Sequence, residues 1–364
     1  MVGEARQTVE STFGGRVPRY AGAVRLVVAV PVSAENVERV RRAEPRLEVV
    51  HRPDLFPEAS FDWMVDYTRT PEKQAEFDEL VDSAEALYGV PDQSGRALAR
   101  TVAANPGLRW VHTIPAGGGQ QVKAAKLPQE ALERIAFTTS AGVHAVPLAE
   151  FAVFGVLAGA KLLPYLRSHQ DRAEWAPRKT MALARDTTVA VVGLGGIGKA
   201  TAERLHALGY TVLGVHRRHV DAPGVERIHP VEDLAQVAAV SDAIVLCLPG
   251  TEQTKGMLSA EVLAALKPGA TIVNVGRGTT VDEPALIEAL RSGRAGFAAL
   301  DVTAVEPLPS SSPLWGLPNV LISPHTAAIS EHEPRLIAEL VAENARRLLD
   351  GDDLLNRVDT VEFS

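Results

Sequence analysis

A single cysteine, Cys247, stands in 364 residues, so no disulfide framework within the chain is available. It sits in the apolar run Ala243–Leu248, the setting of an inert buried thiol, and this cysteine usage fits a reducing compartment, the cytoplasm. Long blocks of one charge are also missing. With a net charge of −8 spread along the chain, neither nucleic acid nor an anionic membrane surface is expected as a partner. No apolar run reaches the ~18–20 uninterrupted residues of a membrane span. The longest candidate, Ala145–Leu166, is broken by Pro147, Glu150, Lys161 and Pro164. Residues 1–20 mix charge with glycine and proline and lack the apolar core of a signal peptide, so they read as a loose extension. There is no short-period repeat, no low-complexity tract and no expectation of a metal.

What is present is globular. Apolar residues make up 46% and charged residues 23%, and the length favours two domains. The chain is organised around VAVVGLGGIG, residues 189–198. The β-branched run Val189–Val192 meets Gly193, Gly195 and Gly198 in the spacing G-x-G-x-x-G, with Gly196 and Ile197 inside the turn. A helical segment follows, then a second apolar strand, Thr211–Val215. In such a βαβ unit the first glycine makes the turn, the second admits a pyrophosphate and the third lets helix and strand pack.

Strand and helix alternate on both sides of this motif. Before it, strands are expected at Val24–Val30, Leu47–Val50, Ala86–Val90, Trp110–Thr113 and Ile135–Thr138. Helices are expected after Ser33 and over 72–84, 94–104 and 130–134, with a glycine loop at Ala116–Gly119 and irregular surface around Trp63 and Tyr67. One long helix, Pro147–Leu163, and a linker, 164–188, lead to the glycine turn. After it, strands are expected at Val189–Val192, Thr211–Val215, Ala243–Leu248, Thr271–Val275, Gly296–Leu300 and Val320–Ile322, closed by a helix over 334–349. The class is α/β, with doubly wound parallel sheets in both halves.

The second strand of the motif ends in His216-Arg217-Arg218, where an NAD-selective site carries Asp or Glu. Two guanidiniums attract a 2′-phosphate that a carboxylate would repel, which favours NADP, with NAD possible. Three polar residues lie just past strand ends, where open α/β sheets bind ligands: Arg277 in VGRG, Glu306 in DVTAVEPLP and His325 in SPHTA. Together they suit hydride chemistry on a 2-oxo acid. Arginine can hold the carboxylate, histidine can exchange the hydroxyl proton, and a carboxylate can fix the histidine tautomer.

With these residues in place, the chain resembles the D-isomer-specific 2-hydroxyacid dehydrogenase family. The matching pieces are GVHAVPLAEF, VVGLGGIG, LCLPGTEQTKGML, LKPGATIVNVGRGTTVDEPALIEAL, ALDVTAVEPLPSSSPLW, LPNVLISPHTA and ENARRLLDGDDLLNRV. The resemblance is strong over 135–358 and weaker over 20–135. It implies Arg277 as the substrate-binding residue, Glu306 as partner of the acid/base, and His325 as that acid/base. It places Asp301 at the nicotinamide carboxamide and the amides of Gly117 and Gly118 at the substrate carboxylate. It also implies cofactor contacts from Leu248, Pro249, Thr254, Val275 and His325. Two Rossmann-like domains flanking an active-site cleft are implied: a discontinuous substrate domain, 1–146 and 326–364, and a cofactor domain, 147–325. A homodimer built on the long helix is implied as well.

Departures from the family narrow the substrate. Ala116-Gly117-Gly118-Gly119 lacks the aspartate of the family's A-G-x-D pattern, and Val90-Pro91-Asp92 lacks the arginine of members acting on phosphoglycerate. Glu306 stands where a formate dehydrogenase-like member would have glutamine. The expected substrate is a small 2-oxo or 2-hydroxy acid of the glyoxylate or hydroxypyruvate kind. The rival reading is a nucleotide-sensing scaffold like the family's corepressor relatives, without significant turnover.

Overall fold

The computed structural model describes residues 23–57, 68–361 and 363. The lead at 1–20 and the stretch holding Trp63 and Tyr67 lie outside them. The strands are β1 (Val24–Val28), β2 (Leu47–Val50), β3 (Ala86–Tyr88), β4 (Trp110–Thr113), β5 (Ala136–Thr139), β6 (Thr188–Val192), β7 (Thr211–Val215), β8 (Arg227–His229), β9 (Ala243–Leu246), β10 (Ala270–Asn274), β11 (Ala295–Leu300) and β12 (Val320–Ile322). The helices are α1 (Ala34–Ala43), α2 (Pro71–Asp82), α3 (Gly95–Ala104), α4 (Gly119–Ala124), α5 (Gln129–Arg134), α6 (Ala145–Ala160), α7 (Leu163–Asp171), α8 (Gly196–Ala207), α9 (Leu234–Val240), α10 (Ala260–Ala265), α11 (Glu283–Arg291) and α12 (Glu333–Asp350).

Two compact units result: Met1–Ser140 with Pro334–Ser364, and Ala141–Glu333. The sequence suggests boundaries at 146/147 and 325/326. The structure divides further out, because Gly142 and Ala145 lie against the Gly196 turn of the second unit, His144 Nε2 pairs with Glu333 Oε1 at 2.8 Å, and the segment after β12 packs there through Ala327 and Ala328.

The first unit holds a parallel sheet in the order β2-β1-β3-β4-β5, a doubly wound arrangement. β3, β4 and β5 are buried at every position, as strands covered on both faces are, and β4 and β5 bury polar side chains, His112, Thr113, Thr138 and Thr139, among the apolar ones. Ser33 caps α1 by accepting from Asn36 N, and Thr70 caps α2 by accepting from Lys73 N. Phe77, Leu87, Leu98, Val111 and Phe137 share one core. α12 buries Ile337, Val341, Ala345 and Leu348, a stripe at helical spacing. The stretch after Gly118 departs from the sequence expectation of a plain loop, because Gly119–Ala124 closes into α4.

The second unit holds seven parallel strands in the order β12-β11-β10-β9-β6-β7-β8. The extra strand, β8, pairs with β7 at the sheet edge and has no fully buried residue, so it carries no apolar signal. The long helix expected at 147–163 is α6, and the linker expected at 164–188 opens with a second helix, α7. α6 stops where Leu162 adopts φ 58°, and Pro164 begins α7 after a bend of 70°. Among the described residues no single helix is long and apolar enough to cross a membrane.

Candidate active site

The glycine turn is built by close approach. Gly193 has φ 92°, a conformation that only glycine adopts without strain. A Cβ on Gly198 would fall 1.9 Å from the Gly193 carbonyl oxygen, so the third glycine is required for α8 to start here. A Cβ on Gly195 would meet nothing within 4 Å, and both Gly195 and Gly196 are exposed. The N-terminus of α8, with Ile197 in its first turn, therefore opens onto free space, as a pyrophosphate site requires.

At the end of β7, Leu194 N donates to His216 Nδ1 at 3.4 Å. Desolvation first, then the charges of Arg218, Arg217 and Lys199, hold the His216 imidazolium below its ordinary range. Arg217 donates to Gln253 Oε1 at 3.2 Å, and both arginines are exposed. The concentration of cationic groups beside the turn suits a phosphorylated ribose. Across the turn, Leu248 is half-buried and Pro249 exposed, and the Pro249 carbonyl accepts from Thr254 Oγ1 at 2.5 Å. Val275 is buried after β10, and its N–H donates to Leu246 O at 3.1 Å. The thiol of Cys247, lodged between these segments, is pushed by burial up to about 12, so it is inert at neutral pH.

Arg277 follows the end of β10 and is exposed. Its turn is shaped by Asn274, which is buried, donates through Nδ2 to Arg277 O at 3.1 Å and accepts from Gly276 N at 3.0 Å. Gly278 presses on the Thr303 backbone, where a Cβ would lie 1.9 Å from the carbonyl oxygen. This contact brings the Arg277 turn against the loop that carries Glu306. There Thr303 N donates to Glu306 Oε1 at 3.0 Å, and Ala304 N donates to Glu283 Oε2 at 3.0 Å. The other oxygen of Glu306 meets His325 Nδ1 at 2.7 Å. With Nδ1 donating to the carboxylate, Nε2 is the ring nitrogen left for chemistry.

His325 itself stands at φ 53°, an unusual conformation for a non-glycine residue. Buried Asp301 lies beneath it. Asp301 Oδ1 accepts from Ser323 Oγ at 2.7 Å and from the amides of Thr326 and Ala327, each at 2.9 Å. Arg277, Asp301, Glu306 and His325 thus share one edge of the second sheet, beyond β10, β11 and β12. Asn274, Glu283 and Thr303 also shape this edge. Their only trace in the sequence is a polar side chain at the end or flank of an apolar run.

In the first unit, Gly117 and Gly118 lie in a turn after β4. Gly118 N donates to Pro115 O at 3.0 Å, and Gln120 N donates to Gly117 O at 3.1 Å.

The family model for the D-isomer specific 2-hydroxyacid dehydrogenase NAD binding domain matches residues 153–327. A D-isomer specific 2-hydroxyacid dehydrogenase from Xanthobacter autotrophicus Py2, solved with NADPH and MES, superposes with a TM-score of 0.74 at 32% identity, over 94% of this chain and 100% of that one. The chain belongs to the D-isomer-specific 2-hydroxyacid dehydrogenases. Among curated members of this family, glyoxylate/hydroxypyruvate reductase A of Salmonella paratyphi B is 32% identical over 210 residues, 58% of this chain and 66% of that protein. D-3-phosphoglycerate dehydrogenase of Methanocaldococcus jannaschii is 33% identical over 212 residues, 57% of this chain but 40% of that longer protein. The two-sheet architecture and the glycine turn are those of an oxidoreductase family that uses nicotinamide dinucleotides.

Proposed function

We propose that this dehydrogenase interconverts a small 2-oxo acid and its D-2-hydroxy acid, with NADPH preferred over NADH. The observation that carries the reading is the 2.7 Å pair of Glu306 and His325 on the same sheet edge as Arg277. Glyoxylate and hydroxypyruvate are the candidate substrates, supported by the likeness to the Salmonella reductase. NADPH is supported by Arg217, Arg218 and Lys199 around His216, and by the NADPH found in the Xanthobacter protein.

The open N-terminus of α8 would hold the pyrophosphate, with Arg217 and Arg218 at the 2′-phosphate and Leu248, Pro249, Thr254 and Val275 along the nucleotide. NADPH, when bound, supplies the hydride. The chain's own groups do the rest. Arg277 grips the substrate carboxylate and stabilises charge growing on the carbonyl oxygen. His325, protonated on both nitrogens, gives its Nε2 proton to that oxygen and keeps its Nδ1 proton on Glu306. Glu306 stabilises the imidazolium and fixes its orientation through Thr303 N. The products are the 2-hydroxy acid, the oxidised dinucleotide and neutral His325, which regains its proton from water. Asp301 has one oxygen committed to the His325 turn, so its other oxygen, Oδ2, would be the one to hold the nicotinamide carboxamide. In the first unit, Gly117 offers the turn's amide to the substrate carboxylate, since Gly118 N is engaged with Pro115.

We also propose that two copies pair through α6, α7 and the segment after them. Among the described residues, seven of the fourteen exposed large apolar ones fall between Val146 and Leu183, including Phe154, Leu166, Trp175 and Met181. Such a concentration marks an interaction surface. Sedimentation equilibrium should give a dimer that Phe154→Glu with Trp175→Glu converts to monomer. For the reaction, a screen of 2-oxo acids with NADPH and NADH should show oxidation of NADPH with glyoxylate or hydroxypyruvate. A clear preference for NADH, or turnover of no 2-oxo acid, contradicts the proposal.

A further inference from the structure

The first unit buries a histidine that the proposed reaction does not use. His112, near the C-terminal end of β4, is 0% exposed, and so are Trp110, Thr138 and Ser140 around it. β4 and β5 pair in a register that sets His112 opposite Thr138. Trp110 Nε1 donates to Thr138 Oγ1 at 2.9 Å, and that same oxygen lies 2.9 Å from His112 Nδ1. On the far side of the ring, His112 Nε2 lies 3.1 Å from Ser140 Oγ, which donates to the Thr113 carbonyl at 3.3 Å.

Proton counting gives this chain one direction. The indole can only donate. The single proton of Ser140 goes to Thr113 O, so Ser140 must accept from His112 Nε2–H. Burial pushes the imidazolium of His112 down to about 3, so the ring is neutral and Nδ1 is bare. The hydroxyl of Thr138 then donates to Nδ1. Each proton is used once, and the Nε2–H tautomer is fixed.

The chain ends on the turn that the proposed function gives to the substrate. The Thr113 side chain underlies Gly118, where a Cβ would fall 1.7 Å from Thr113 Oγ1. Thr113 Oγ1 and Gly118 N both donate to the Pro115 carbonyl, at 3.4 and 3.0 Å. The carbonyl that Ser140 holds is thus the base of the turn. We propose that His112 is a positioning residue for the substrate turn Thr113–Gly118, acting through Ser140 on the Thr113 carbonyl. It rests on the reading that this turn binds the substrate carboxylate. His112 touches neither substrate nor cofactor. It orders the turn through a hydroxyl that would otherwise rotate among acceptors, so its loss weakens substrate binding and leaves hydride transfer at the second unit's edge intact.

The test is kinetic, with glyoxylate varied at saturating NADPH in the full-length protein. Ser140→Ala removes the last link with one atom deleted and should raise KM about threefold to tenfold, the worth of one buried hydrogen bond, while kcat changes by less than about twofold. The affinity for NADPH should not change. His112→Asn keeps an acceptor for Thr138 but loses the arm to Ser140, so it should raise KM in the same way. His112→Gln restores a donor at the position of Nε2 and should return KM towards the parent value. Gly117→Pro removes the turn's own amide and should raise KM as well. If Gly117→Pro raises KM while Ser140→Ala and His112→Asn leave it at the parent value, the positioning role is overturned and the reading of the turn stands. If Gly117→Pro leaves KM unchanged, that reading fails and the positioning role falls with it. Should His112→Asn fail to fold, Ser140→Ala carries the kinetic arm. The ring ¹⁵N shifts of His112 in the parent protein give a second readout. A protonated Nε2 and bare Nδ1 are expected, and the opposite tautomer or an imidazolium overturns the proposal.

Discussion

Asp301 holds the turn of His325 by its backbone and its side chain together. The His325 N–H donates to the Asp301 carbonyl at 2.9 Å, while Asp301 Oδ1 collects Ser323 Oγ and the amides of Thr326 and Ala327. Four hydrogen bonds from one residue over-determine a stretch in which His325 sits at φ 53°. A left-handed non-glycine residue costs on the order of 1 kcal/mol or more, and it persists only where its surroundings insist on it. Asp301→Ala keeps the carbonyl for His325 N–H but leaves Ser323 Oγ and the amides of Thr326 and Ala327 without their acceptor, and should destabilise the protein by about 2–4 kcal/mol in urea unfolding, with a fall in kcat. Asp301→Asn keeps an acceptor at Oδ1 and should lose less. Equal stability of the alanine variant and the parent would contradict this role.

The glycines of the dinucleotide turn separate binding from folding. At Gly195 an added Cβ meets open space at φ −77°, so Gly195→Ala should fold with an unchanged Tm and lose NADPH binding, because the methyl occupies the approach of the pyrophosphate. At Gly198 the same methyl collides with the Gly193 carbonyl, so Gly198→Ala should cost about 3 kcal/mol before any ligand is added. Calorimetry and fluorescence titration with NADPH distinguish the two.

Coenzyme choice should reside in Arg217 and Arg218. Replacing both with serine should raise KM for NADPH about tenfold to a hundredfold, the range of one or two charge-assisted bonds, and leave KM for NADH nearly unchanged. In the parent protein KM for NADPH should rise with added salt more steeply than KM for NADH. Parallel behaviour of the two coenzymes would show that the arginines do not meet the 2′-phosphate.

The buried His112 makes stability depend on pH. Its pKa is about 3 in the folded protein and near 6.5 in the unfolded chain, so between those values the unfolded state binds the extra proton. A depressed histidine pKa contributes stability that is complete above the unfolded value and is lost as pH falls towards the folded one. The loss should run at roughly 1.4 kcal/mol per pH unit between about pH 6 and pH 4. Urea unfolding of the parent and of His112→Gln should therefore diverge in slope across that window, with the variant flatter.

The fold was legible where physics writes it in contiguous residues. Strands buried on both faces, such as β9 and β3, appear as apolar runs, and Ser33 announces α1 because a hydroxyl one residue ahead of a helix satisfies its free amides. β8 was hidden because an edge strand of three residues buries too little, and α4 because six residues beginning with glycine have no periodicity. α7 was hidden in the expected linker because it buries no residue and begins at a proline, which marks a helix end as readily as a start. Of the site, Arg277, Glu306 and His325 stood out as polar residues just past apolar strands. The anchors did not. The Oδ1 bonds of Asp301 and the ring bonds of His112 exist only once distant strands are brought into register, which no local pattern reports.

The central claim is that His325, paired with Glu306, moves the proton that accompanies hydride transfer. Single-turnover oxidation of bound NADPH by glyoxylate or hydroxypyruvate, compared between the parent and His325→Ala, tests it most directly. The account predicts rapid oxidation in the parent, a loss of about 10²–10⁴ in rate in the variant, and NADPH binding within about twofold of the parent. Oxidation by His325→Ala at close to the parent rate would contradict it.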